Sequence, residues 1–473
     1  MIKINEKDNV AVVITEGRDI PAGHKIAVCD IKKDEQIIKY GFAIGRAKQD
    51  IKKGEHVHSH NVYSDMKTSG EYEYTPTPCD IQNIEPVTFM GYRRKNDKIG
   101  VRNEVWIIPT VGCVNAVAKS IEDGAKQFKT DNIDGIYSYS HPYGCSQLGD
   151  DQLYTQKLLS GLVNHPNAAG VLVLSLGCEN NNLDEFKKVL GEYDPERVKF
   201  LVCQDCEDEV SEGVEIVRQL CEYADTFRRT ECDVSDLVIG LKCGGSDGFS
   251  GITANAVVGK VSDTVISMGG SSLLTEVPEM FGAETILMSR CINERVFDKT
   301  VSLINDFKAY FTRYGEPVDE NPSPGNKAGG ITTLADKSLG CTQKGGTAPV
   351  TDVLGYGENV RCKGLSLVQG PGNDLVASCA LAAAGAHIVL FTTGRGTPFG
   401  CPVPTMKISS NTALYNKKIN WIDFDAGTML KDGIESCPSA LFNKIISVAN
   451  GECVKSEALD KRDISIFKDG VTL

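Results

Sequence analysis

Three stretches of the chain repeat one pattern, and that pattern limits the fold more than any other feature. "VWIIPTVGC" is an apolar run closing on Gly112-Cys113, and "VNAVAKSIEDGAKQF" follows with helical spacing. "AAGVLVLSLGCEN" closes on Gly177-Cys178 and leads into "NNLDEFKKVLGEY". "VKFLVCQDC" leads into "DEVSEGVEIVRQLCEYADTF". Strand, turn and helix in series form βαβ units, which build a parallel sheet. Such sheets bind ligands beyond the carboxyl ends of their strands, where these turns fall. The pattern resumes near Asp233 with "SDLVIGLKCGGSDGFSG", "DTVISMGGSSLLTEVPEMFGAE" and "AHIVLFTTGRGTPFG". The block "NPSPGNKAGGITTLADKSLGCTQKGGT" between them lacks clear periodicity and reads as a long functional loop.

The first 70 residues read differently. Short apolar runs alternate with turn signals, as in a small β module. "DIPAGHK" and "DIKKGEH" look alike, each a turn leading into a strand. Residues 71–88 carry three prolines in "GEYEYTPTPCDIQNIEPV" and read as a linker. The expected organisation is α/β: a β module over 1–70, the linker over 71–88, a first α/β unit over 89–232 and a second, catalytic one over 233–473. The net charge of −13 argues against a nucleic-acid partner. No apolar run is long enough to span a membrane. Seventeen cysteines without an apolar leader point to a reducing, cytoplasmic setting.

Chemistry gathers at a few places. "GEHVHSHN" holds three of the seven histidines in five residues. In an extended segment His56, His58 and His60 share one face, and two imidazoles on a face can hold one metal ion. The bland alternative is a polar turn facing water. Cys145 in "SHPYGCSQ", Cys178 in "LSLGCEN" and Cys243 in "LKCGGSDG" each stand beside glycine at a strand end. Three converging thiolates can hold iron, as one ion or as a cluster with an open site; otherwise they are small residues at turns. Cys203 and Cys206 form a single CxxC, too little for a structural zinc. Lys327 in "PGNKAGG" and Arg395 in "TTGRGTP" place cations inside Gly-rich loops, a setting for an anion. His141 has the chemistry of an acid or base, and His24 that of a base or ligand. His165 and His387 read as structural. Phosphate-loop and nicotinamide-binding motifs are missing.

Long motifs carry a resemblance. "GHKIAVCDI", "IIKYG" and "GEHVHSHN" resemble the N-terminal β-clip (SAF) module of the altronate/galactarate dehydratase family, which includes sulfolactate sulfo-lyases. "GVRNEVWIIPTVGCVN", "SHPYGCSQLGDD", "CGGSDGFSGITAN", "LTEVPEMFGAE", "ENPSPGNKAGGITTLADKSLGCTQK" and "IFKDGVTL" resemble the rest of that family. The stretch before "PAGHK" is shorter than the altronate branch leads one to expect, and Cys206 is not a family position. The resemblance implies a hydro-lyase that dehydrates D-altronate to 2-dehydro-3-deoxy-D-gluconate in hexuronate breakdown. Galactarate dehydration, sulfolactate cleavage and a non-catalytic sugar-acid binding protein are the rivals. It further implies Fe²⁺, with Mn²⁺ as a substitute, and a homodimer; an iron–sulfur cluster on the cysteines stays open as the alternative form of the iron. On this reading Cys145, Cys178 and Cys243 hold the metal, with His56 and His58 as the rival set. His141 or His24 is the base or acid. Lys327 and Arg395 hold the carboxylate, and Asn103, Ser246, Asp247 and Thr397 bind hydroxyls.

Overall fold

The computed structural model describes residues 1–15, 19–79, 81–433 and 436–469. The end of "IFKDGVTL", from residue 470, lies outside them. The N-terminal module consists of two three-stranded antiparallel sheets. One runs Val10–Val12, Lys25–Ala27, His56–Val57, and the other Gln36–Lys39, Phe42–Ala47, Val62–Tyr63. Val10, Val12, Ile31, Ile37, Ile44, Ile51 and Val57 fill its core, together with Phe249, Ile252, Ala283 and Leu339 of the C-terminal region. A unit of about 65 residues buries a modest share of its surface by itself, and this one completes its core on that region. The two look-alike phrases become neighbours, because Lys25 pairs with Val57 and Ile26 with His56.

Residues 65–79 and 81–87 form no regular element. They are nonetheless tied to the C-terminal region. Tyr72 Oη donates to Glu284 at 2.6 Å, Tyr74 Oη donates to the Cys291 carbonyl at 2.9 Å, and Ile84 N–H donates to the Ser267 carbonyl at 2.9 Å.

The middle of the chain builds a four-stranded parallel sheet in the order Gly135–Ser138, Glu104–Pro109, Ala168–Ser175, Val198–Val202. Helices Asn115–Ala125, Gly149–Val163, Leu183–Leu190 and Glu209–Ala224 complete the βαβ units. A small antiparallel sheet of Arg229–Asp233, Thr88–Arg93 and Ile99–Gly100 joins the start of this unit to its end. The C-terminal region carries seven parallel strands, ordered Val350–Leu354, Gly364–Val368, Ser271–Leu274, Val238–Cys243, Ile388–Thr393, Thr405–Ser409, Phe424–Asp425. Its central strands are buried along their whole length, as expected where helices cover both faces.

The block 321–347 is not a structureless loop. It contains helices Pro324–Ala328 and Leu334–Cys341. The second is buried almost all round, so it shows none of the apolar–polar alternation that marks a surface helix. The extended reading of "HVHSHN" holds only for His56–Val57. After that the chain turns, with Asn61 N–H donating to the His58 carbonyl at 2.9 Å.

Candidate active site under the N-terminal module

Antiparallel pairing gathers the imidazoles. With Lys25 opposite Val57 and Ile26 opposite His56, His24 falls across from His58. The His24 and His58 rings lie 5.0 Å apart, those of His24 and His56 5.1 Å, and those of His56 and His58 5.4 Å. His24 Nδ1 and His56 Nε2 approach to 3.0 Å, close enough for one shared proton. One ring nitrogen of each of the three lies within 4.8 Å of the others. His60 stays exposed beside them.

Burial, with the charges of His24 and His60 next, pushes His56 down to about 4. Burial and then Lys25 do the same to His58, also to about 4, and burial lowers His24. All three rings are therefore neutral near pH 7, the state that ligates metal or accepts a proton. His58 Nδ1 is buried without any hydrogen-bond partner. An orphaned nitrogen beside two neutral imidazoles fits a divalent transition metal. His56 and His58 are the pair that would hold one, which leaves His24 beside them to handle a proton.

The Gly-rich loops at the carboxyl ends of the seven-stranded sheet meet this group. A Cβ on Gly248 would lie 1.9 Å from the Gly23 carbonyl oxygen, and one on Gly330 (φ +101°) 2.4 Å from the same atom. Glycine is what lets the module's turn sit against both loops. His24 Nε2 lies 3.3 Å from the Ala328 carbonyl, at the end of the short helix that carries Lys327. Exposed Arg395 donates to the Gly325 carbonyl in the same helix at 2.7 Å. The two cations thus share one short helix, which the histidine group touches.

Beneath the histidines an ion group locks the module down. Asp336 accepts from Lys25 at 2.7 Å and Lys39 at 2.9 Å, and all three side chains are buried. Burial works against the Asp336 charge, but the two lysines hold its carboxyl far below the usual range. Burial and neighbouring Lys39 bring Lys25 down to about 8, against the pull of Asp336.

The other sequence-derived site residues fall elsewhere. Asp247 Oδ1 accepts from Ser250 N–H at 2.9 Å, Ser250 Oγ at 2.8 Å and Ser410 Oγ at 2.8 Å, while Oδ2 accepts from Asn411 at 3.1 Å. It pins the loop and is not free for a sugar hydroxyl. Ser246 is buried, and its carbonyl accepts from Asn326 at 2.9 Å. Thr397 is partly exposed next to Arg395, with its hydroxyl accepting from Phe399 N–H at 3.3 Å. Asn103 is fully buried, accepting from Arg94 and donating to the Asn132 and Ala224 carbonyls, so it is structural. His141 is structural as well. Its Nε2 lies 2.8 Å from the Pro109 carbonyl, its Nδ1 accepts from Tyr143 N–H at 3.2 Å, and burial lowers its pKa. Neither ring nitrogen is left for substrate.

The three cysteines do not form one group. Cys145 and Cys178 are exposed on loops of the four-stranded unit, whereas Cys243 is buried at the end of a strand in the seven-stranded sheet. Its Sγ lies 3.2 Å from Cys341 Sγ, and both thiols contact Glu279 Oε2, at 3.2 and 2.9 Å. Glu279 also pairs with Lys337 at 2.8 Å. Nearby, Glu276 takes Lys344 at 2.9 Å and pairs with Lys242, which binds Asp374 at 3.0 Å. Sequence reasoning missed Glu276, Glu279, Lys337 and Cys341. The one available signal was that "LTEVPEMFGAE" and "KSLGCTQK" pack charge and thiol among residues otherwise suited to a core.

A β-clip module docked on parallel α/β units, with imidazoles over cation-bearing loops, defines a class: a multidomain enzyme for an anionic small molecule. Family models now place the chain. "Altronate/galactarate dehydratase SAF domain" matches residues 1–65, "D-galactarate dehydratase/Altronate hydrolase, second domain" matches 91–225, and "D-galactarate/Altronate dehydratase, C-terminal" matches 234–472. The chain belongs to the altronate/galactarate dehydratase family and is a hydro-lyase. It is 52% identical to the altronate dehydratase of Bacillus subtilis, over 100% of this chain and 99% of that one. It is 48% identical to the altronate dehydratase of Escherichia coli, with the same coverage. The galactarate dehydratase (L-threo-forming) of E. coli is 31% identical over 95% of this chain and 93% of its own. Among the described residues no helix is long and apolar enough to cross a membrane.

Proposed function

We propose that this chain dehydrates D-altronate to 2-dehydro-3-deoxy-D-gluconate. The observation that carries the reading is the group of three neutral imidazoles against the short helix that carries Lys327 and whose Gly325 carbonyl accepts from Arg395. The full-length likeness, 52% to an altronate dehydratase against 31% to a galactarate dehydratase, supports altronate as the substrate.

The C2 hydrogen lies beside a carboxylate, so its removal leaves an enediolate with added negative charge. Lys327 and Arg395 grip the substrate carboxylate and meet that charge as it develops. His56 and His58 would hold Fe²⁺, or Mn²⁺ in its place, and the bound metal supplies Lewis acidity at the carboxylate or C2 hydroxyl. His24, kept neutral by burial, accepts the C2 proton. The C3 hydroxyl leaves as water when a proton is returned to it, and the enol becomes the 2-keto acid. The N-terminal module carries the histidines over the site and is held there by Asp336.

The test is turnover of D-altronate, galactarate and sulfolactate by protein handled without air and supplied with Fe²⁺. Selective formation of the 2-keto acid from D-altronate is expected. Turnover of galactarate or sulfolactate with none of D-altronate would end this reading.

A further inference from the structure

The loops after the first three strands of the four-stranded sheet each carry a Gly-Cys pair: Gly112-Cys113, Gly144-Cys145 and Gly177-Cys178. The strand before Cys113 lies between the other two in the sheet. Each glycine allows a contact that a side chain would block. A Cβ on Gly112 would fall 2.8 Å from the His141 carbonyl oxygen. One on Gly144 (φ +100°) would fall 2.0 Å from the Thr110 carbonyl oxygen, and one on Gly177 (φ +128°) 2.7 Å from Gln204 Oε1.

The loops are also bonded to one another. Gly112 N–H donates to the Tyr143 carbonyl at 2.8 Å, and Asn181 N–H donates to the Gly144 carbonyl at 3.1 Å. Asn181 Nδ2 donates to the Thr110 carbonyl at 2.9 Å, and Ser146 N–H donates to Asn180 Oδ1 at 2.9 Å. At this junction Asn181 is buried and its Oδ1 has no hydrogen-bond partner. Cys113, Cys145 and Cys178 are all exposed, although cysteine is among the most buried residue types.

We propose that Cys113, Cys145 and Cys178 hold an iron–sulfur cluster through three thiolates, with one iron left open to an oxygen ligand. The spacing separates this from a single ion. Three thiolates on one zinc stand about 3.8 Å apart, given metal–sulfur bonds of about 2.3 Å. These three do not form a group within 4.8 Å of one another, so a single ion does not reach all three as they stand, whereas the thiolates of a cluster bind different irons. In the neighbouring CxxC, Cys206 Sγ donates to the Val202 carbonyl at 3.2 Å, and both Cys203 and Cys206 pack against the apolar core of the unit. Cys243, in the other sheet, has no part in the cluster. The inference does not depend on the substrate: a chain inactive on D-altronate would still carry the cluster.

The test uses the full chain reconstituted without air with Fe²⁺ and sulfide. The expected result is a broad visible absorption band, about four acid-labile sulfides per chain, and about four irons beyond any held at His56 and His58. Each of Cys113→Ser, Cys145→Ser and Cys178→Ser should lose most of both, while Cys203→Ser keeps them. Far-ultraviolet circular dichroism checks that the variants fold. The loaded chain should protect Cys113, Cys145 and Cys178 from alkylation, read by mass spectrometry, while exposed Cys29, Cys362 and Cys453 still react. Iron without sulfide, failure to reconstitute, or a folded Cys113→Ser variant with full iron and sulfide would overturn the proposal.

Discussion

Asp336→Asn tests how the N-terminal module is held. The carboxylate is fully buried and is the shared counter-charge of Lys25 and Lys39, which are also buried. It further accepts from Thr332 N–H at 3.0 Å and Thr332 Oγ1 at 3.1 Å. Removing the charge leaves two buried ammonium groups with no carboxylate. Breaking a buried ion pair from one side costs about 3–5 kcal/mol. For a unit the size of the C-terminal region, each kcal/mol lowers the transition by roughly 2–4 °C, so a fall of about 6–20 °C is expected. Differential scanning calorimetry reads the transition, and limited proteolysis between residues 65 and 87 reports release of the module. Replacing all three residues with apolar ones of similar volume, as in Lys25→Met, Lys39→Met and Asp336→Leu together, should recover most of the loss, because no buried charge remains. A single variant melting within about 2 °C of the parent would refute the argument, at under about 1 kcal/mol for the group. So would a triple variant less stable than the single one.

Other outcomes follow from the same geometry. His24→Gln should lower kcat by about 10²- to 10⁴-fold, the range for loss of a general base, with a smaller change in KM. Lys327→Ala should lower kcat as well as raise KM, since the carboxylate grip tightens as the enediolate forms; a change in KM alone would remove that role. His141→Gln should cost about 1–3 kcal/mol of stability through its two backbone hydrogen bonds, yet leave kcat of the folded fraction near the parent value. His387 is buried with its pKa pushed down to about 4, and its Nδ1 accepts from Val238 N–H. The unfolded chain protonates this ring near pH 6.5 and the folded chain does not, so its share of stability is lost as pH falls from about 6.5 to 4. The slope approaches about 1.4 kcal/mol per pH unit, and His387→Gln should flatten it in melts across that window.

The strand–turn–helix repeats were legible because parallel strands need long crossovers, and those leave a regular local pattern. The same pattern placed the glycines and cysteines at the carboxyl edges of sheets. Look-alike turns before His24 and His56 were visible too, but not that their strands pair. That pairing brings His24, absent from the "HVHSHN" cluster, across from His58. Cys145, Cys178 and Cys243 shared one local signature, yet they divide between two sheets, because a strand-end turn does not record which sheet its strand joins. Asp247 and Asn103 looked like hydroxyl binders and His141 like an acid or base by type, and the fold spends their polar atoms on loops and backbone. Asp336 gave no signal at all, since its lysine partners lie about three hundred positions away in the chain. By itself the sequence determined the kinds of element and the edges where chemistry gathers, both of which are set by local periodicity. Tertiary structure alone decided which side chains meet there, because burial, charge pairing and proton affinity depend on neighbours remote in the chain.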